Sequence, residues 1–166
     1  MYHLLYSFCD WLQNTQWALN LSGSTWAYPY VQMIHFTGLS LWVGTNLALD
    51  LSLVGWGRRR QTPAELSASL FAWNWSGLGI AVTGGFMLFA TAATSFIVNP
   101  AFRIKLGVLI PLALILHIIV QRKALTWGKT METPAIAKVA GLAEMLFWIG
   151  VATAAVSIPF YEHLGD

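Results

Sequence analysis

The sequence predicts an all-α integral membrane protein, an up-down four-helix bundle preceded by an amphipathic helix at the membrane interface. Three observations lead there. Of 166 residues, 57% are hydrophobic and 10% charged, against about 25% charged in an ordinary soluble domain. No charged residue lies between Asp10 and Asp50 or between Glu65 and Arg103, and a spanning helix needs about 20 mostly apolar residues. The chain also carries nine Trp, a residue that collects where protein meets the membrane–water interface.

The same arithmetic removes several classes. Nine Lys and Arg against seven Asp and Glu leave a net charge of only +2, with no basic run able to track phosphates, so no nucleic-acid partner is expected. The single Cys9 excludes an internal disulfide and any multi-cysteine metal motif. The alternating segments of a membrane β-barrel are missing, as are the motifs of nucleotide, hydrolase or phosphate chemistry, and no enzymatic activity is expected.

Residues 1–23 are read as the interfacial helix. Leu4, Leu5, Phe8, Trp11, Leu12, Thr15 and Leu19 recur at helical spacing, with Asp10, Gln13, Asn14 and Gln16 between them, a pattern that lies in the interface plane. A basic n-region is lacking, so this is not a secretory signal. Ser22-Gly23-Ser24 ends the helix, and residues 24–166 form the four-helix transmembrane domain. Its spans are read at 30–55, 70–96, 104–121 and 138–160. The third is short and contains Pro111, which predicts a kink or a locally thin region.

Lys and Arg set the orientation. Arg58-Arg59-Arg60 fill the first loop, and Arg122, Lys123, Lys129 and Lys138 surround the third, whereas the terminal segments carry Asp10, Glu162 and Asp166. The positive-inside rule then puts the first and third loops in the cytoplasm and both termini on the periplasmic side of a bacterial inner membrane.

Ionisable residues inside a bilayer are costly and mark candidate sites. On the first span Gln32, Asn46 and Asp50 lie about 60°, 20° and 60° from His35 at 100° per residue, one stripe that must face the bundle interior. Depth follows from the rise per residue. Asp50 stands eight residues before Arg58, His117 five before Arg122, Glu144 six after Lys138 and Asn74 nine after Glu65. Asp50, Asn74, His117 and Glu144, one per helix, therefore converge near the cytoplasmic end. Carboxylate–histidine–carboxylate chemistry suits a proton relay or a divalent metal, and it equally suits a structural lock on helix register.

The outer end gathers His35, Arg103, Lys105, Glu162 and His163, with Met33 and Met87 at comparable depth. His35 lies about 34 Å of helix before Arg58 and His117 only about 8 Å before Arg122, so the two histidines cannot bracket one haem. A single b-type haem at the outer end, ligated by His35 with Met87, His163 or a partner subunit and with Arg103 or Lys105 at a propionate, fits the count. Copper held by His35, Met33 and Met87 is the alternative. Gly77, Ala81 and Gly85 on the second span form a ridge of small residues, suited to close helix packing or to a flat cofactor.

Segments Ser24-Thr25-Trp26-Ala27-Tyr28-Pro29-Tyr30, Ile34-His35-Phe36-Thr37-Gly38-Leu39, Asp50-Leu51-Ser52-Leu53-Val54-Gly55, Ala72-Trp73-Asn74-Trp75-Ser76-Gly77, Thr83-Gly84 and Asn99-Pro100-Ala101-Phe102-Arg103-Ile104-Lys105 resemble a family of small bacterial four-span membrane proteins of unknown function. The family tends to have Glu in place of Gln32 and Asn in place of His117. More distantly, His35-x-x-Gly38 with Trp42-Val43-Gly44 is similar to the first helix of copper-resistance D membrane domains and of small membrane cytochromes b. The resemblance implies fold and topology and no defined activity. The functional expectation is a small inner-membrane subunit of a redox or respiratory assembly, in contact with the lipid bilayer and with other membrane or periplasmic subunits. A copper-handling protein and a purely structural subunit are the alternatives.

Overall fold

The structure, a computed structural model, describes residues 2–56 and 60–162. Arg58, Arg59, His163, Asp166 and the Glu162 side chain, used above for orientation or for the outer site, lie outside the described residues.

Every element among the described residues is helical. The predicted N-terminal helix is two helices, α1 (Tyr2–Gln13) and α2 (Gln16–Ser22). The break follows from side chains that compete with the helix ladder. The Asn14 amide donates to the Asp10 carbonyl at 2.7 Å and the Thr15 hydroxyl to the Leu12 carbonyl at 2.7 Å. Nor is α1 free to float in the interface. Cys9 and Leu12 are buried against Ala90 and Ala93, and Gln13 Oε1 accepts from the Thr94 backbone N–H at 3.1 Å and its hydroxyl at 2.9 Å.

Helix α3 (Ala27–Val54) stops at Gly55, whose φ of 92° closes the helix in the left-handed conformation. Helix α4 (Pro63–Ala90) starts seven residues before the predicted 70. Thr62 and Glu65 form a reciprocal capping box, with the Thr62 N–H donating to Glu65 Oε2 at 2.8 Å and Pro63 in the first turn. The predicted second span ran on to residue 96. Instead the Thr91 hydroxyl turns back to the Leu88 carbonyl at 2.7 Å, and a separate α5 (Ala93–Val98) follows. Asn99 then caps α6 (Pro100–Ile104) through the Phe102 N–H, and its amide donates to the Ile158 carbonyl at 2.9 Å.

Pro111 is accommodated by a π-helical turn over Lys105–Leu109. Proline offers no N–H to the carbonyl one turn back, and here the register widens, so that the Ile110 N–H reaches the Lys105 carbonyl. Helix α7 (Ile110–Trp127) continues the run, so the third helical stretch spans Pro100–Trp127, 28 residues, and is not short. Helix α8 (Ala135–Glu162) is the last element among the described residues.

The four long stretches pack in a ring: α3 against α4 and α8, and α7 against α4 and α8. The α3–α4 contact is the tightest because it lacks side chains. A Cβ on Gly77 would lie 2.7 Å from the Trp42 backbone nitrogen, and one on Gly84 would lie 2.9 Å from His35 Cβ. The small-residue ridge is thus filled by the neighbouring helix and leaves no slot for a flat cofactor. At the opposite end the Thr133 hydroxyl donates to the Leu53 carbonyl at 2.6 Å and the Ala64 N–H to the Gly128 carbonyl at 3.1 Å. These bonds join the ends of the first and third long loops.

Pro100–Trp127 and Ala135–Tyr161 are long and apolar enough to cross a membrane. Helices α3 and α4 have the same length, 28 residues each, but Gln32, His35, Asn46, Asp50 and Asn74 lower their hydropathy. Four spans were expected, and among the described residues two stretches qualify by length and composition.

Candidate functional site

Polar residues collect in the centre of the bundle while apolar ones cover the outside. Asn46, Asp50, Asn74, His117, Gln121 and Glu144 are all buried. Phe71, Val82, Phe86, Ile115, Leu146 and Ile149 are all exposed. This reverses the usual distribution of a water-soluble bundle.

The buried groups form one connected chain whose polarity can be worked out from its end. An indole N–H only donates. Trp75 Nε1 donates to Gln121 Oε1 at 2.9 Å, which turns Gln121 Nε2 toward Asn74. That amide donates to Asn74 Oδ1 at 3.4 Å, a long contact. Asn74 Oδ1 also faces His117 Nε2 at 3.0 Å, so Nε2 carries a hydrogen. The Asn74 amide nitrogen points the other way, donating to Thr45 Oγ1 at 2.8 Å and to Asn46 Oδ1.

His117 Nδ1 lies 2.5 Å from Glu144 Oε1. With Nε2 committed as a donor, the pair holds one further proton in this short bond, as imidazolium and carboxylate or as imidazole and carboxylic acid. The Trp148 indole contacts the same Oε1 at 3.4 Å. Aromatic rings enclose the imidazole. The Trp42 ring centre is 4.7 Å away, edge-on, and that of Trp75 6.1 Å.

Three of the four residues matched by depth, Asn74, His117 and Glu144, are therefore directly bonded. Asp50 was expected within hydrogen-bonding or water-bridged reach of His117, with Glu144 or Asn74 nearby; the carboxylate bonded directly to His117 is Glu144. Rotation about α8 decides it, since Glu144 rather than Asp50 projects at the imidazole. Asp50 is buried and interacts electrostatically with Glu144, but neither of its oxygens has a hydrogen-bond partner among the described residues. Among those residues no group of three or more His, Cys, Asp and Glu side chains is arranged to hold a metal ion.

Residues of this site that the sequence reading passed over are Trp42, Thr45, Trp75, Gln121 and Trp148. Helical spacing signals some of them. Trp42 is one turn before Asn46, Gln121 one turn after His117 and Trp148 one turn after Glu144. Their Trp identity pointed to the interface instead.

His35 occupies the N-terminal half of α3, half-buried against α4. Its Nδ1 lies 2.7 Å from the Ala81 carbonyl, which can only accept, so the hydrogen is on Nδ1 and Nε2 keeps its lone pair. Gly85 leaves room for the ring, since a Cβ there would lie 2.9 Å from His35 Cε1. Lys105 is near enough for its charge to act on His35. Arg103 is exposed, beside a shallow cleft with Leu5, Tyr6, Ile97 and Val98. Met87 is half-buried on α4, while Met33 is exposed on the outside of α3. The structure thus brings Lys105 to His35 but points Met33 away from the interior.

No protein-family model, no curated protein and no solved structure matches this chain.

Proposed function

We propose that this protein is a four-span integral membrane subunit of a bacterial inner-membrane redox or respiratory assembly, with both termini periplasmic and no enzymatic activity of its own. The observation that carries the membrane reading is the inverted distribution of polarity. A hydrogen-bonded polar centre inside an apolar exterior is stable where lipid replaces water. Exposed Trp26 and Tyr30 near one end and Trp56 near the other match aromatic belts at two interfaces.

The redox reading rests on His35. A histidine whose Nδ1–H is held by a backbone carbonyl presents Nε2 in the tautomer that ligates a metal. Because the α3–α4 ridge is closed, a haem would lie outside that ridge and draw its second ligand from Met87 or a partner subunit, with Lys105 or Arg103 toward a propionate. Copper at His35 is the competing use of the same nitrogen. A reduced-minus-oxidised optical spectrum of protein purified from its native membrane tests the choice. A b-type band that His35→Ala abolishes and His117→Ala leaves intact supports haem at His35. Stoichiometric copper without that band supports the metal, and neither signal leaves a structural subunit.

A further inference from the structure

Among the described residues the polar chain leaves five buried atoms without hydrogen-bond partners: the donors Trp42 Nε1 and Asn46 Nδ2, and the acceptors Asp50 Oδ1, Asp50 Oδ2 and Glu144 Oε2. Their four residues are at most 1% exposed. Trp42, Asn46 and Asp50 stand at successive turns of α3, so their side chains share one face. Glu144 reaches the same region from α8 and interacts with Asp50.

An ionised carboxylate in a dry interior requires donors or a counter-charge. Asp50 has neither. His117, the basic member of the cluster, is engaged by Glu144 Oε1, and the α4 residue bonded to its other nitrogen is the neutral Asn74. A second bare carboxylate beside Glu144 would leave the centre with uncompensated negative charge. A divalent ion would relieve the oxygens, but it would leave both N–H groups unanswered and would want more ligands than this site arranges. A proton and water satisfy both kinds of atom. Water accepts from Trp42 and Asn46, and a carboxylic acid needs no counter-ion.

We propose that Asp50 is a proton-binding site, distinct from the proton shared by His117 and Glu144. The carboxyl group carries an exchangeable proton that it donates toward Glu144 Oε2, directly or through one water. Among the described residues the titratable group whose charge acts on it is Glu144 on α8, which holds His117 of α7 through its other oxygen. Proton gain and loss occur with water alone, so no other reactant is involved. The inference rests on the membrane-embedded reading and is independent of any metal or haem at His35.

Isotope-edited infrared spectroscopy of the full chain in lipid vesicles tests it. The chain has three aspartates, Asp10, Asp50 and Asp166, and Asp10 is exposed. The expected result is a protonated-carboxyl C=O band at neutral pH that shifts on labelling aspartate with carboxyl-13C. It also shifts in D2O, converts reversibly to a carboxylate band as pH rises, and is lost in Asp50→Asn. The labelled wild-type spectrum stands whether or not Asp50→Asn folds. Absence of an aspartate-sensitive protonated band overturns the proposal. So does a band that resists D2O and alkali, or one that persists in folded Asp50→Asn.

Discussion

Because the Trp75 indole N–H can only donate, it fixes the orientation of Gln121, then of Asn74, and finally the hydrogen on His117 Nε2. Trp75→Phe should therefore remove more than packing. The Gln121 carbonyl loses its donor, and the expected cost is about 1–3 kcal/mol in denaturant unfolding in detergent. The His117–Glu144 pair is the stronger test. Glu144→Ala should destabilise by roughly 3–5 kcal/mol, since it strands a buried partner. The combined loss in His117→Ala with Glu144→Ala should fall clearly short of the sum of the two single losses, because the pair acts as a unit. Full additivity would show that the two residues do not interact. The depth of these residues was legible in the sequence, because helical rise is constant and the flanking basic residues mark the ends. The partners were not. Which carboxylate meets His117 depends on rotation of each helix in the packed bundle, and the enclosing Trp42, Trp75 and Trp148 carry an identity that signals the interface as strongly as the core.

At the level of helices, packing between α3 and α4 is backbone on backbone, and the glycines separate into two classes. Gly77→Ala would drive a methyl into the Trp42 backbone and should cost about 1–3 kcal/mol by thermal unfolding in micelles. Gly79, two residues on, has nothing within 4 Å of its added Cβ, so Gly79→Ala should be neutral or stabilising by up to about 1 kcal/mol. Equal effects at the two positions would contradict the packing. Thr62→Ala should cost about 0.5–2 kcal/mol through loss of the α4 cap. Long apolar periods gave the four long helices away, and their ends were harder to read. The Thr62-Pro63-Ala64-Glu65 cap precedes the apolar run, so reading hydropathy alone started α4 late. The Pro111 break was legible as a disturbance, but its form was not, because a π turn at Lys105–Leu109 depends on how the neighbouring carbonyls find donors. The split between α1 and α2 comes from the Asn14 and Thr15 side chains, which an apolar-spacing argument overlooks.

Taken whole, the molecule places His117 and Glu144 at 1% and 0% exposure while Leu146, two positions after Glu144, is 67% exposed. On α8, Glu144 thus turns to the polar interior and Leu146 to the outside, the arrangement that the proposed membrane reading expects. The proposed topology puts the loop 128–134 in the cytoplasm and the turn at 23–26 in the periplasm. A cysteine introduced at Thr130 should react with a membrane-impermeant maleimide only after the inner membrane is opened, and one at Ser24 in spheroplasts without opening; the reverse pattern would invert the assignment. Composition made the two apolar stretches Pro100–Trp127 and Ala135–Tyr161 legible, whereas the polar stripes of α3 and α4 lower their hydropathy, because the residues that build the site are the ones that dilute the apolar signal. The central claim is that the outside of this bundle is lipid-facing. It is tested most directly by spin labels placed one at a time at Phe86, Ile115 and Leu146 of the protein in bilayers, with the relaxation enhancement by oxygen compared with that by a water-soluble nickel chelate. The account predicts strong oxygen access and little nickel access at all three positions, and strong nickel access at them would contradict it.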